Sequence, residues 1–279
     1  ILPALRARRD TCDAMIGIIA DAEIVKLPRM GSLDMMAPAS GAMKLMKKLR
    51  GSSKPSSNSG EKNMALLRRL PKILKFVPGK AQDLRAWFMV MQYWLGGSDD
   101  NVEAMLRFLL NRYAKDTGWT SAPTAALPVD YPDVGLYHPD LPERITTNPD
   151  DLPGAKDGLT VGLLMMRSYI LSSDTMHYDA VIRAFEARGI RVLPAFAGGL
   201  DGRPAIDTYF QDRVDALVSL TGFSLVGGPA YNDSAAAVDV LKALDVPYIA
   251  AHPLEFQTLG QWASSASGLG PIETTMLIA

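Results

Sequence analysis

Four short apolar runs, separated by helix-like patterns, constrain the fold of residues 159–258 more than any other feature of the chain. The runs occupy residues 159–166, 191–196, 214–220 and 246–251. Val, Ile and Leu fall at both odd and even positions in each run, which is typical of strands in a parallel sheet covered on both faces. The repeat therefore predicts a doubly wound, Rossmann-like α/β domain.

The loops that follow these strands form the candidate site. The carboxyl ends of parallel strands meet at one edge of the sheet, and doubly wound proteins bind ligands at that edge. Glycine, proline and polar residues follow each run, as turns require. The candidate substrate-binding residues at this edge are Arg167, His177, Asp201, Thr221, Phe223, Phe256 and Gln257, and the weaker candidates for catalysis are His252 and Glu255.

A helical block precedes this domain. Helical spacing predicts one helix over residues 81–95, and Ser98 should cap a second helix that runs to Tyr113. The residues expected to face inward on the two helices are Leu84, Phe88, Met91 and Leu95, followed by Val102, Leu106, Leu109 and Tyr113.

We expect four parts along the chain. A buried-strand pattern at 14–20 suggests that residues 1–30 close an N-terminal α/β domain. A helical domain at 31–116 would contain a mobile loop at 51–63, whose serines, lysines and glycines bury little apolar area. Residues 117–158 read as an extended, proline-rich connection, and 159–279 as a doubly wound domain that is incomplete at its C-terminus.

Composition is that of an ordinary globular protein, with 48% hydrophobic and 21% charged residues. The chain starts at Ile1 and ends in an apolar, strand-like run at 273–279, so we expect a fragment of a larger multidomain protein. The single cysteine, Cys12, suits a reducing cytoplasm. No apolar run reaches the ~20 residues of a spanning helix, so an integral membrane protein is not expected.

Charge is uneven, although the net charge is only -1. Residues 41–85 carry a surplus of +10, which leaves -11 on the remainder. A solvated helix face explains such a block, and so does a docking surface for an acidic partner or a membrane headgroup layer. Nucleic acid is not expected as a partner, because no aromatic residues interleave with the charges before Phe76.

Several short motifs of the chain point to a known family. In the doubly wound part they are Arg167-Ser168, His177-Tyr178 and the segments at 196–201, 219–223, 227–230 and 253–258. In the preceding part they are the segments at 31–36, 70–75, 79–83 and 92–98. These motifs resemble, in the same order, the large H subunits of magnesium chelatase. His252 before Pro253, and Tyr137 before His138-Pro139, resemble the bacteriochlorophyll-type form.

The resemblance implies a subunit of an ATP-dependent enzyme, a ligase that inserts Mg²⁺ into protoporphyrin IX. ATP would be hydrolysed by an AAA+ subunit that works with an integrin-like partner subunit. The chain agrees, since it contains neither a Gly-x-x-x-x-Gly-Lys-Ser/Thr phosphate loop nor a strand followed by Gly-x-Gly-x-x-Gly. We therefore expect no cofactor in this fragment and no insertion of metal by the fragment alone.

The resemblance also implies specific roles for the candidate residues in binding the porphyrin and the metal. Arg167 could pair bidentately with a porphyrin propionate, or form a structural salt bridge to Asp174 or Asp201. His252 and Glu255 could take a pyrrole proton or favour the cation, or simply hydrogen-bond within a turn fixed by Pro253. His177 suits a helix cap or the surface. Phe223, Phe256 and Trp262 could stack on the macrocycle, or belong to the core.

Two other functions stay open at this point. The large subunit of aerobic cobaltochelatase belongs to the same core family, although the segments at 31–35 and 92–97 argue against it. A non-catalytic module that binds a small ligand at the same edge is the alternative from another class. The three histidines do not fall at metal-ligand spacing, so no metal site is expected within the fragment.

Overall fold

The computed structural model describes residues 1–17, 23–37, 70–114, 125–154, 157–222, 224–228, 231–253 and 256–278. The chain divides into two compact units, Ile1–Asp130 and Tyr131–Ala279. The finer division into four parts stays a prediction, and the loop expected at 51–63 lies outside the described residues. Among the described residues, no helix combines the length and the apolar character that crossing a membrane requires.

The first unit begins with helix α1 (Leu2–Arg8) and a small antiparallel sheet. The sheet contains β1 (Ala14–Met15), β2 (Arg29–Met30) and β3 (Leu33–Asp34), paired in that order. Of the strand expected at 14–20, the described residues 14–17 contain the two residues of β1, and residues 18–20 lie outside the described part.

Two helices of this unit, α2 (Ala81–Gly96) and α3 (Asp99–Tyr113), pack against each other. Gly97 ends α2 with φ 65°, and Ser98 caps α3 by accepting a hydrogen bond from the Asn101 amide, as the sequence predicts. The predicted inward face is wrong at Leu95 and Leu106, which are 41% and 53% exposed. The buried face is rotated toward the positions of Ala86, Met89, Val90, Tyr93, Ala104 and Met105.

The second unit is built on a six-stranded sheet. Its strands are β4 (Val134–Tyr137), β5 (Ile145–Thr146), β6 (Thr160–Met166), β7 (Arg191–Ala197), β8 (Ala216–Ser219) and β11 (Tyr248–Ala250), in the spatial order β11-β8-β6-β7-β4-β5. A two-stranded ribbon, β9 (Gly227–Gly228) and β10 (Tyr231–Asn232), lies between β8 and β11 in sequence. The four strands predicted from sequence are parallel and adjacent, so the predicted fold class is confirmed.

Helices connect the parallel strands. They are α4 (Arg167–Leu171), α5 (Met176–Glu186), α6 (Arg203–Ala205, continued as a π-helix over Ile206–Phe210) and α7 (Ser234–Leu244). Two further helices, α8 (Leu259–Ser264) and α9 (Pro271–Ile278), follow β11. The chain turns at Gly189 with φ 71° after α5, and Asp233 caps α7 by accepting a hydrogen bond from the Ala236 amide.

Alternate residues of β6 enter different cores, as a strand period of two requires. Val161, Leu163 and Met165 pack on one face of the sheet with Tyr178. Leu164 packs on the other face in a separate cluster. Helices on both faces explain why apolar residues occur at both parities of the strand sequence.

Two features of this unit differ from the sequence-based expectations. The segment expected to be an extended connection contributes β4 and β5, which pair antiparallel at the edge of the sheet beside β7. The apolar run near the C-terminus is the helix α9 and not a strand. Pro271 begins that helix at a position where a missing N–H costs nothing.

Candidate functional site

A cleft lies at the carboxyl ends of β6, β7 and β8. It encloses about 300 Å³, counting space open to solvent. Strands β7 and β8 flank β6 on opposite sides, so the order of the strands switches at this point. This is the position at which doubly wound sheets bind ligands. Its lining residues are Leu164, Met165, Met166, Ala197, Gly199, Leu200, Asp201, Gly202, Thr221, Ser224 and Leu225.

Apolar residues of β6 form part of the cleft, and Gly202 lies very close to them. A Cβ atom at position 202 would lie 2.7 Å from Cδ2 of Leu164 and 3.2 Å from the carbonyl oxygen of Leu225. Only glycine allows the backbone to approach that closely without a shift of Leu164. The sequence Gly-Leu-Asp-Gly thus positions the loop after β7 against the end of β6.

Two loops that line the cleft are hydrogen-bonded to each other. The amide of Gly202 donates to the carbonyl of Leu225 at 2.9 Å, and the amide of Gly227 donates to the carbonyl of Leu200 at 3.0 Å. Asp201 and Val226 form an antiparallel β-bridge between these contacts. The polar groups of the cleft are therefore fixed before any ligand binds.

Asp201 is the carboxylate of the cleft, and its partner is Arg203. Nε of Arg203 lies 2.9 and 3.0 Å from the two carboxylate oxygens, and the Arg203 amide donates to Oδ1 at 3.0 Å. Burial alone would raise the pKa of Asp201, but the hydrogen bonds and the charge of Arg203 outweigh it and hold the pKa below its usual value. Asp201 is therefore an anion at neutral pH.

Hydroxyl groups supply the other polar atoms. Thr221 and Ser224 line the cleft, and the hydroxyls of Ser219 and Thr221 lie 3.1 Å apart. Ser219 is buried at the end of β8. The cleft thus combines apolar side chains, two hydroxyls and one ionised carboxylate.

Arg167 begins α4 directly after β6 and is half-buried. Its Nε donates to the carbonyl of Pro132 at 2.8 Å, and Nη2 donates to the carbonyl of Tyr131 at 3.0 Å. The next residue of that segment, Asp133, accepts a hydrogen bond from the amide of Gly198. Arg167 therefore fixes the chain segment that leads into β4 near the carboxyl ends of β6 and β7.

His177 lies in the first turn of α5, beside two tyrosines. Its ring centroid is 3.9 Å from that of Tyr178 and 5.5 Å from that of Tyr169. The Tyr178 hydroxyl accepts a hydrogen bond from the amide of Met166, which ties this cluster to the end of β6. Burial raises the pKa of Tyr178 to about 12, so the phenol stays neutral.

The residues after β11 lie at the outer strand of the sheet. His252 is exposed, and Phe256 is 62% exposed. Gln257 links its own loop to the segment before α9, since its amide donates to the Gly268 carbonyl at 3.2 Å and its oxygen accepts from the Gly270 amide at 2.8 Å.

The structure brings together only part of the predicted site. Asp201 and Thr221 line the cleft, whereas Arg167, His177, His252, Phe256 and Gln257 lie elsewhere at or beyond the carboxyl edge. Phe223 and Glu255 lie outside the described residues. Within the described ranges, no group of three or more His, Cys, Asp or Glu is placed to hold a metal ion.

Arg203 and Ser224 are the residues that sequence reasoning missed. The Asp-x-Arg spacing at 201–203, in the loop after β7, was the available signal for Arg203, since an aspartate there can accept from the first amides of the next helix and hold the arginine. Ser224 depends on the contact between two loops that are about twenty residues apart, which spacing does not reveal.

Comparison with known families gives two matches that together span nearly the whole chain. Residues 91–279 match the model described as CobN/Magnesium Chelatase. Residues 1–88 match a domain of unknown function (DUF3479).

Curated relatives carry the same family names. The chain is 68% identical over its full length to the H subunit of the magnesium chelatase of Cereibacter sphaeroides, of which it covers 24%. It is 36% identical over 99% of its length to the chloroplastic magnesium-chelatase protein ChlH of Oryza sativa subsp. indica, of which it covers 21%. The CobN protein of aerobic cobaltochelatase from Sinorhizobium sp is 27% identical over 43% of the chain, which covers 9% of it.

The chain therefore spans about a quarter of the length of its more similar relatives. Since one family model covers more than half of the 279 residues, the assignment does not depend on any single relative. The chain belongs to the CobN/Magnesium Chelatase family.

Proposed function

We propose that this chain is part of the porphyrin-binding H subunit of magnesium chelatase, in the bacteriochlorophyll pathway. The observation that carries the proposal is the 68% identity to the H subunit of a bacterial magnesium chelatase across the whole chain. The corresponding identity to a cobaltochelatase subunit is 27%, over less than half of the chain.

The reaction has two demands that a protein of this kind must meet. Mg²⁺ loses its bound water reluctantly, and two pyrrole protons must leave the ring. We propose that the AAA+ subunit and its integrin-like partner supply the energy of ATP in the cytoplasm, while protoporphyrin IX is bound by the H subunit. The chain alone would then neither hydrolyse ATP nor insert the metal.

The cleft between the β7 and β8 loops is our proposed contact with one edge of the tetrapyrrole. Because its ~300 Å³ includes space open to solvent, the enclosed part of the cleft is much smaller than the ~300–1,000 Å³ of small-molecule pockets, and it would admit at most an edge of the macrocycle. The ionised Asp201 would repel a propionate. The apolar surface of Leu164, Met165 and Leu225 favours the vinyl and methyl edge instead.

The remaining candidates take roles at the rim in this proposal. Arg167 would meet a propionate outside the cleft, where its guanidinium is already oriented by two carbonyl oxygens. His177, Phe256 and Gln257 would complete the porphyrin contact there, and Thr221 would do so from within the cleft. Phe223 stays a candidate from the sequence, and His252 and Glu255 would act on protons or on the cation.

Reconstitution tests the proposed reaction directly. The full-length protein is mixed with the ATPase subunit and its partner, ATP, Mg²⁺ and protoporphyrin IX, and the fluorescence of magnesium protoporphyrin is followed. We expect the product to form only when all components are present. Insertion of Co²⁺ into a metal-free corrinoid, without magnesium insertion, would instead favour the cobaltochelatase alternative.

Absorbance titration separates the enzyme from a non-catalytic binding module. We expect the Soret band of protoporphyrin IX to shift on binding, and small anions at the same concentrations to leave that shift unchanged. A ligand-binding module of another class would show no Soret shift.

A further inference from the structure

The described residues 70–80 of the first unit are helical at 70–74 and then form a turn, and together they expose several apolar side chains. Phe76 is 83% exposed, Ile73 is 62% exposed and Val77 is 43% exposed. Single exposed apolar side chains are ordinary on protein surfaces, but three within five residues form a continuous feature of the chain.

The base of this loop is firmly held. Leu70 and Leu74 are buried in the core cluster of the helical block. The side-chain amide of Gln82 donates to the carbonyls of Leu74, at 2.9 Å, and of Val77. The exposed side chains therefore project from a preorganised turn and not from a frayed end.

Lysines alternate with and flank the apolar residues along the sequence. Lys72, Lys75 and Lys80 are all exposed. The nearest carboxylate along the chain, Asp83, is already engaged by Ser32, Tyr113 and Arg112. The positive charge of the loop is thus not neutralised by its own neighbour in sequence.

We propose that this loop, defined by Lys72, Ile73, Lys75, Phe76, Val77 and Lys80 and called the lysine–phenylalanine loop, binds the surface of an anionic lipid bilayer. Phe76, Ile73 and Val77 enter the boundary between headgroups and acyl chains, while the three ammonium groups contact anionic headgroups.

A bilayer explains this composition better than a protein partner does. Lysine is depleted in protein–protein interfaces, whereas an aromatic side chain with surrounding lysines is typical of segments that lie on membranes. Lysine also keeps its ammonium in the aqueous layer while its methylene chain lies along apolar surface. This inference concerns a different surface from the cleft and stands whether or not the cleft binds a porphyrin.

Vesicle co-sedimentation tests the proposal with the full-length protein. We expect binding to vesicles that contain phosphatidylglycerol, much weaker binding to pure phosphatidylcholine, and loss of binding at high salt. Lys72→Gln, Lys75→Gln and Lys80→Gln should each weaken partitioning about five-fold. Phe76→Ser should weaken it on the order of tenfold at all salt concentrations, and Phe76→Trp should restore or strengthen it.

Val238→Ser and Lys242→Gln provide the matched control, because both residues are exposed on α7. We expect this double variant to bind like the wild type, and all variants to keep the wild-type melting temperature. Unchanged vesicle binding in the Phe76→Ser variant would overturn the proposal. So would an absence of vesicle binding combined with loss of a protein complex in the same variants, which would make the loop a protein interface.

Discussion

Two carboxylates, Asp83 in the first unit and Asp201 in the second, show how similar chemistry serves different purposes. The Asp83 carboxylate accepts hydrogen bonds from the amide and hydroxyl of Ser32, the hydroxyl of Tyr113 and the guanidinium of Arg112. The Asp201 carboxylate receives its side-chain contacts from Arg203, two residues along the chain. In both, burial would raise the pKa, but the donors outweigh it and lower the pKa.

The difference lies in sequence distance. The partners of Asp83 are 51, 30 and 29 residues away, so its carboxylate joins the β2–β3 turn to the ends of two helices. The contact between Asp201 and Arg203 is local and would form with little help from the rest of the fold. A carboxylate that joins distant elements contributes to stability, whereas a locally paired carboxylate beside a cleft is available to a ligand.

Asp83→Asn should have the largest effect on stability. An asparagine accepts fewer hydrogen bonds and places two amide hydrogens among existing donors, so the free energy of unfolding of the first unit should fall by about 3 kcal/mol. Urea denaturation followed by the fluorescence of Trp87 and Trp94 in α2 measures it. Glu103→Gln, which removes an exposed ion pair with Arg107 on α3, is the control and should cost about 0.5 kcal/mol or less.

Acid should affect the same contacts in a defined direction. Because the folded pKa of Asp83 lies below the unfolded value of about 3.9, its stabilising contribution is complete above that pH and is lost as the pH falls through the folded pKa. The difference in stability between wild type and Asp83→Asn should therefore be constant near neutrality and shrink in acid. A difference that grows in acid would contradict the role given to Asp83.

Arg167→Ala should have the next largest effect, on stability as well as on binding. The segment 131–133 loses two charge-assisted hydrogen bonds, so we expect the unfolding free energy of the second unit to fall by about 2 kcal/mol. Porphyrin affinity should fall about five- to hundredfold if the guanidinium also meets a propionate. Arg167→Lys separates the two roles: it keeps the charge for the propionate but loses the paired contact with both carbonyls.

Two glycines sharpen the comparison of the units. A Cβ at Gly31 would lie 2.7 Å from Oδ2 of Asp83, and a Cβ at Gly202 would lie 2.7 Å from a methyl group of Leu164. Gly31 has φ 53°, whereas Gly202 has φ -76°, which any residue adopts. Gly31→Ala should therefore lower the unfolding free energy by about 2 kcal/mol, and Gly202→Ala by about 1 kcal/mol.

Porphyrin affinity should fall more in Gly202→Ala than in Gly31→Ala, the reverse of the order for stability. The methyl group of Gly202→Ala displaces Leu164 into the cleft, so we expect a several-fold loss of porphyrin affinity, measured by fluorescence titration. Gly31→Ala should leave the affinity of the folded protein unchanged. Equal losses of affinity in both variants would mean that the cleft is not the porphyrin contact.

Sequence reasoning recovered the parallel core of the second unit because its signal is local. Val161 and Leu164 belong to different core clusters, on opposite faces of the sheet. The sequence indicates this directly, because apolar residues occur at both odd and even positions of the strand. The strand β4 carries no such signal, since Val134–Tyr137 is short and bordered by prolines, and it exists because it pairs with β7. Leu95 and Leu106 were wrongly predicted to be buried. Helical periodicity identifies a broad apolar stripe, but which residues of the stripe are buried depends on how the helix is rotated against its neighbours.

The site was less predictable than the fold for a related reason. Topology places the loops at one edge, so Asp201 and Thr221 could be identified from their positions after β7 and β8. Which side chains turn into the cleft depends on contacts between loops. Arg167 follows β6 directly and was the sharpest candidate, yet its guanidinium faces the carbonyls of Tyr131 and Pro132.

Asp201→Asn should have the smallest effect on stability and the most informative effect on binding. Arg203 is 43% exposed and its amide can still be capped by asparagine, so the unfolding free energy should fall by less than about 1 kcal/mol.

Removing the negative charge of Asp201 also frees the Arg203 guanidinium from its ion pair and ends the repulsion of propionates. Protoporphyrin IX should therefore bind a few-fold more tightly, while its dimethyl ester, which carries no charge on the propionate groups, should bind as it does to the wild type. The rate of magnesium insertion at saturation should nevertheless fall. A propionate in the cleft means that the porphyrin is bound in the opposite orientation, with its vinyl and methyl edge outside the cleft. Loss of affinity for both ligands would show that Asp201 contacts the porphyrin directly, and the contrast with Asp83 would then rest on stability alone.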